Sequence, residues 1–196
     1  MQKSSVATVY KQVVYRQEDS KPLRTSGSNK DYNQQRRHRW KTDLPAKMTD
    51  FAKNCLAVHN ELRAKHGASP LKLNDKLTAH AQKWADHLAS TGSFEHSKGS
   101  GYGENIAMQW SSGGADVPAR SFVQQWYSEV EKYDFGDKSG NYQPSAGHFS
   151  QLVWKGSKEL GVGVAKDGKG MSVAVCNYNP AGNMQGDFGS NVQAEN

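Results

Sequence analysis

The strongest chemical signal in these 196 residues comes from a glutamate and two histidines. Glu129 lies three residues after Trp126 and seven after Phe122 in a run with helical periodicity, so it falls on the face that should be apolar. A carboxylate there is costly unless it is paired or bound to something. The plainer alternative is a stripe-edge glutamate reaching out to water, and periodicity alone favours that alternative. Of the seven histidines, most have ordinary roles. His38 sits in a basic segment, and His80 and His87 fall off the apolar stripe of their helix. His66 precedes Gly67, where an imidazolium suits the dipole at a helix end. His59 shares a face with Cys55 and Leu62 and reads as buried and hydrogen-bonded. That leaves His96, in Phe94-Glu95-His96-Ser97, and His148, in Ala146-Gly147-His148-Phe149. Both sit at or before the start of an element and near glycines, where backbone can approach a site. Neutral imidazoles with carboxylates are ordinary ligands for zinc or another divalent metal. The sequence has no HxxxH or CxxC, so spacing alone supports such a site weakly.

Nucleophiles are harder to find. The chain has no GxSxG elbow. Ser150 follows His148 by two positions, and residues so spaced do not face each other on a helix. Cys55 falls on an apolar stripe and reads as buried and inert. The run GYGENIA has glycines but lacks the strand–turn–helix context of a phosphate loop.

The elements that must position these residues follow from pattern and punctuation. Asp50 is the expected N-cap of a helix carrying Phe51, Cys55, Val58 and Leu62, ending before Gly67. Asn74 is expected to cap a second helix whose stripe is Leu77, Ala81, Trp84, Ala85 and Leu88, stopped by Gly92. Asp116 with Pro118 opens a third, carrying Phe122, Trp126 and Val130. A short fourth helix fits His148 to Trp154. Strands are predicted over Asn105 to Gln109, Leu160 to Ala165 and Met171 to Tyr178, the last two joined by a hairpin at Lys166 to Gly170. Helices interspersed with a hairpin-rich, mainly antiparallel sheet predict helices on both sheet faces.

The formal net charge of +6 lies entirely within residues 1–50, and residues 51–196 are neutral. Residues 1–48 are therefore expected to form a basic, disordered extension, with one domain over 49–196. Val6 to Tyr15 is the one β-prone stretch in that extension. A basic segment suits an anionic membrane surface or a nucleic acid, and Gln34-Gln35-Arg36-Arg37-His38-Arg39-Trp40 is its sharpest cluster. Two cysteines are too few for a disulfide framework, the first residues show no secretory pattern, and no run of apolar residues is long enough to span a membrane. Together these predict a cytoplasm-facing location.

Four segments carry a resemblance to a known family. Gly147 to Ser157 (GHFSQLVWKGS) resembles the first signature of the CAP superfamily (cysteine-rich secretory, antigen 5, pathogenesis-related 1). Val173 to Gly186 (VAVCNYNPAGNMQG) resembles the second, with Ala174 where a larger apolar residue is usual. HNELR (His59 to Arg63) and GENIA (Gly103 to Ala107) are similar to the third and fourth. The resemblance covers roughly residues 50–190, and within the superfamily it is nearest the Golgi-associated, cytosol-facing pathogenesis-related type. It implies an α+β fold, a three-layer α-β-α sandwich with a central mainly antiparallel sheet. It also implies a cleft of His96, Glu104, Glu129 and His148. In that cleft His96 and His148 would hold zinc, with Glu104 and Glu129 acting through water or by orienting the imidazoles. Sterol or lipid binding and homodimerisation are implied as well, with Tyr133, Phe135 and Tyr142 the place for lipid contact or else ordinary packing. The chain departs from the myristoylated relatives in having Gln2 after Met1, and its basic extension is longer than theirs.

Two functions compete. One is a non-catalytic binding module for lipid or sterol at a membrane surface, on the Golgi or another endomembrane, with export by a non-classical route as the alternative location. The other is a metal-dependent hydrolase using the same cleft, with a glutamate as general base. Two protein ligands are fewer than the three usual for catalytic zinc, which favours the binding module. Nucleic-acid binding is the weakest reading, because the domain is neutral.

Overall fold

The computed structural model describes residues 46–111, 115–137 and 139–196, and of residues 46–49 the backbone alone. Residues 1–45 of the expected extension, with Val6 to Tyr15 and the cluster at Gln34 to Trp40, lie outside the described residues, and its residues 46–48 belong to the first helix.

Helix α1 runs Ala46–Lys65. It starts before Asp50, so that residue lies inside the helix and does not cap it. Strand β1 is Lys72–Leu73. Helix α2 spans Asp75–Thr91 and is capped as predicted: Asn74 Oδ1 accepts from the amides of Lys76 (2.9 Å) and Leu77 (3.1 Å). Gly92 ends it with φ 67°, its N–H donating to Leu88 O. Strand β2 is Gly103–Trp110 and helix α3 is Ala119–Tyr127. Pro118 takes the N-cap position of α3, two residues after the expected Asp116, with φ −64° already suited to a helix start. A 3-10 turn, Ser128–Lys132, continues α3 and carries Glu129. A second such turn, Pro144–Ala146, leads into α4, Gly147–Val153. Strands β3 (Glu159–Lys166) and β4 (Met171–Asn179) form the predicted hairpin, and α5 is Phe188–Asn191.

The four-stranded sheet has the order β1-β3-β4-β2. The β3–β4 and β4–β2 pairings are antiparallel, while β1 pairs with β3 in parallel. The sheet is therefore mixed. Its parallel member has only two residues, too short to give a periodic signal.

Helices cover both faces, which makes the α-β-α sandwich. Strand alternation divides β4 between two cores. Val173 and Val175 face α2 with Ala81, Ala85 and Leu88, whereas Ala174, Cys176 and Tyr178 join Phe122, Trp126 and Phe149 on the other side. Helix α2 sits directly on the β3 backbone because Gly161 and Gly163 have no side chain. A Cβ there would lie 2.2 Å from the Leu77 carbonyl carbon and 2.4 Å from that of Ala81.

Polar staples tie the segments together. The buried Arg63 of α1 donates to four carbonyls: Ser69, Leu152 and Trp154 at 2.9 Å and Ser157 at 3.2 Å. Burial pulls its pKa down to about 10, so it stays charged at neutral pH. Asn60 both donates to Leu71 O (3.1 Å) and accepts from Leu71 N (2.8 Å). His59 is buried as expected, with Nε2 2.8 Å from the Tyr178 hydroxyl. The HNELR run thus docks α1 onto the other signature segments.

Candidate functional site

His96, Glu104, Glu129 and His148 form two buried imidazole–carboxylate pairs. Glu104, at the start of the edge strand β2, places Oε1 2.8 Å from His96 Nδ1. Ser97 donates to the same carboxylate through its amide (2.9 Å) and its hydroxyl (2.7 Å), and Asn177 Nδ2 donates at 3.1 Å. Burial pushes the Glu104 carboxyl up, but the bonds from His96 and Ser97 outweigh it and hold the pKa below the ordinary carboxylate value.

Glu129 pairs with His148 at the start of α4. Its Oε1 lies 2.7 Å from His148 Nδ1, and its Oε2 accepts from the amides of His148 (2.8 Å) and Phe149 (3.3 Å). Glu129 is 4 % exposed, so it does not reach out to water from the stripe edge. A carboxylate at that helix start suits the amides exposed there. Strand β2 contacts both pairs. Its neighbouring residues point to opposite faces, so Glu104 turns to His96 while Asn105 turns the other way and donates to His148 O (3.0 Å) and the Tyr178 hydroxyl (3.2 Å).

An ionised carboxylate only accepts, so Nδ1 of each imidazole carries the proton and the ring lone pair falls on Nε2. This is the arrangement in which a carboxylate orients a metal-binding imidazole. Carboxylate-oriented imidazoles are a donor chemistry that divalent metals take; His96 and His148 would be the residues to hold such an ion, and Lewis acidity the chemistry it would supply. Ser97, Asn105 and Asn177 complete the shell and were missed in the sequence. The signal for them was adjacency: each lies next to a residue of the flagged set or within a signature segment.

Tyr133, Phe135 and Tyr142 are half-buried and packed on the core. Tyr133 and Phe135 stack edgewise with Phe149 at 5.5 and 6.0 Å, and Tyr142 lies 6.0 Å from Phe188. Ser150 does not serve the His148 ring: its hydroxyl lies 2.6 Å from Asn183 Oδ1 and 3.1 Å from Gly147 O. His66 is buried, and desolvation lowers its pKa, against the imidazolium expected at the helix end. A separate groove of about 630 Å³ opens between α1, the segment entering α3 and the far ends of β3 and β4.

Comparison with known proteins decides the family. The profile of the CAP family, described as the cysteine-rich secretory protein family, matches residues 56–178. The chain belongs to the CAP family. This CAP domain is 40 % identical over 147 residues to human Golgi-associated plant pathogenesis-related protein 1, covering 72 % of this chain and 92 % of that one. It is 35 % identical to pathogenesis-related protein 1 of Arabidopsis thaliana (71 % and 83 % covered). It is also 37 % identical to protein PRY2 of Saccharomyces cerevisiae, where it covers 73 % of this chain but 41 % of the yeast protein. Among solved structures, NaASP2 with Zn2+ superposes with a TM-score of 0.61 at 24 % identity, covering 79 % of this chain and 91 % of the other, which supports the fold. No helix among the described residues is long and apolar enough to cross a membrane.

Proposed function

We propose that this CAP domain is a non-catalytic binding module that takes a sterol or fatty-acyl chain in the groove beside α1, at a membrane surface. The groove carries the reading. At about 630 Å³ it has the size of a small-molecule site. Its walls include Phe51, Ala57, Val58, Val117 and Val164, and its rim includes Arg120 and the Lys166–Asp116 ion pair (2.6 Å). Apolar walls with a charged rim suit an amphipathic lipid. Tyr133, Phe135 and Tyr142 remain the second place for lipid contact, through the parts of their rings that the core leaves exposed.

Fluorescent sterol and fatty-acid titrations of the full chain test this. Ala57 is exposed, so Ala57→Trp fills the groove without crowding the core. The expected result is at least a tenfold loss of affinity, about 1.4 kcal/mol. Unchanged binding in Ala57→Trp, with loss in Tyr133→Ala, would move the lipid to the aromatic loop. No binding by the wild type would end the reading.

The basic residues 1–48 are the part that meets an anionic membrane, because the net charge lies there. The name of the human relative supports a Golgi or other endomembrane surface. The name of another relative, secreted protein RBT4 of Candida albicans, keeps an extracellular location in play. Co-sedimentation with phosphatidylserine vesicles should weaken steeply between low and physiological salt. Salt-independent binding would assign the attachment to the neutral domain.

A divalent metal, with zinc the first to try, is proposed for the two imidazole–carboxylate pairs. The hydrolase reading has less support. Two imidazoles are fewer protein ligands than catalytic zinc normally has, and Ser150 is engaged with Asn183.

A further inference from the structure

Beneath α1, in the larger core, lies a cluster that neither cleft nor groove uses. Cys55 Sγ is 3.6 Å from Cys176 Sγ and 3.6 Å from His59 Nδ1, and all three side chains are buried. Their donor atoms lie within 4.8 Å of one another, close enough for one metal ion. The imidazole argues against that use. His59 Nδ1 is 2.8 Å from the Cys55 carbonyl oxygen, which only accepts, so Nδ1 carries a hydrogen and has no lone pair for a metal. The other ring nitrogen, Nε2, faces the Tyr178 hydroxyl at 2.8 Å. What remains is two thiols in contact beside an N–H donor.

We propose that Cys55 and Cys176 are a dithiol that closes to a disulfide on reaction with hydrogen peroxide, stapling α1 to strand β4. The sulfurs need to close by roughly 1.5 Å to reach bonding distance. The site is asymmetric. The bond from Cys176, opposed by burial and aided by His59, draws the Cys55 thiol down to about 6, while burial pushes Cys176 well up. Cys55 is therefore the attacking thiolate. Its sulfur bonds to one peroxide oxygen as the O–O bond breaks, and the other oxygen leaves as water after taking up a proton. The sulfur of Cys176 then attacks the resulting sulfenic acid. The S–S bond forms, the S–O bond breaks, and the Cys176 proton leaves with the hydroxide as a second water. Overall, two thiols and one peroxide give one disulfide and two waters. The oxidant must be small, because Cys55 is 2 % exposed and Cys176 0 %. The staple joins positions 121 residues apart, next to Asn177 and Tyr178, which hold Glu104 and Asn105.

The full chain, purified reduced, is treated with hydrogen peroxide. It is then denatured for thiol titration, digested for peptide mapping, and melted with and without reductant. Both thiols should disappear together, a Cys55–Cys176 peptide should appear, and the oxidised form should melt about 10 °C above the reduced one. Cys55→Ser should keep its one titratable thiol, Cys176→Ser should stop with Cys55 as a sulfenic acid that a dimedone probe captures, and both should lose the reductant-sensitive shift. Two surviving thiols, or sulfinic acid without a cross-link, would overturn the proposal. So would thiols masked in the purified protein until a chelator removes zinc, since that outcome assigns the cluster to a metal.

Discussion

Arg63→Ala should lower the stability of the domain by about 4 kcal/mol, a large share of what a domain of this size has. Two costs combine. The substitution removes donors from four carbonyls, those of Ser69, Leu152, Trp154 and Ser157. Three of those acceptors, on Leu152, Trp154 and Ser157, sit in the interior, where an unmet polar group costs about 1–3 kcal/mol. It also empties the space of a fully buried long side chain. Arg63→Met separates the terms, because it restores most of the volume and none of the donors. Urea unfolding should place Met between Ala and the wild type. A loss below about 1 kcal/mol in Arg63→Ala would mean that water replaces the guanidinium and that the staple is not structural.

Zinc affinity should fall by more than about a hundredfold in the double variant His96→Ala, His148→Ala, and by about tenfold to a hundredfold in Glu104→Gln or Glu129→Gln. The order follows from geometry. The carboxylates touch Nδ1 of each ring, so they orient the imidazoles, and the Nε2 lone pairs would meet the metal. Removing a ring removes a ligand, whereas removing a carboxylate charge loosens one. Affinity should also fall as pH drops, because protons compete for the same lone pair. Calorimetric titration with thermal melts of each variant separates ligand loss from loss of fold. Glu129→Gln is the variant to watch, since Glu129 also accepts from two amides at the start of α4. Unchanged zinc affinity in the double variant would leave the pairs as a buried hydrogen-bond network. Retained binding that then vanished in Cys55→Ser would move the metal to the thiol cluster.

Each part of this protein was legible to the extent that a short stretch of chain determines it. The cap of α2 at Asn74, its stop at Gly92 and the β3–β4 hairpin follow from local chemistry, and the structure has them as the sequence predicts. The start of α1 does not, because Asp50 can cap a helix but does not have to when the preceding residues also take helical angles. The family was readable from motifs, as were the four residues that the structure joins in two imidazole–carboxylate pairs, and Glu129 also stood out as a charge on an apolar stripe. That stripe could not decide between a glutamate at the water's edge and a buried one. The decision needed His148 and its amide, 19 residues on, to arrive at the same place. Other features are tertiary throughout. Gly161 and Gly163 look like weak strand residues until α2 lies on them, and β1 exists only through its pairing with β3. Cys55 and Cys176 are 121 positions apart, and no local pattern predicts that their sulfurs touch. Propensity, capping and periodicity act over a few residues, so the sequence by itself determined most of the elements and the family. Which buried polar groups find each other depends on how the layers close, and only the tertiary structure decided that.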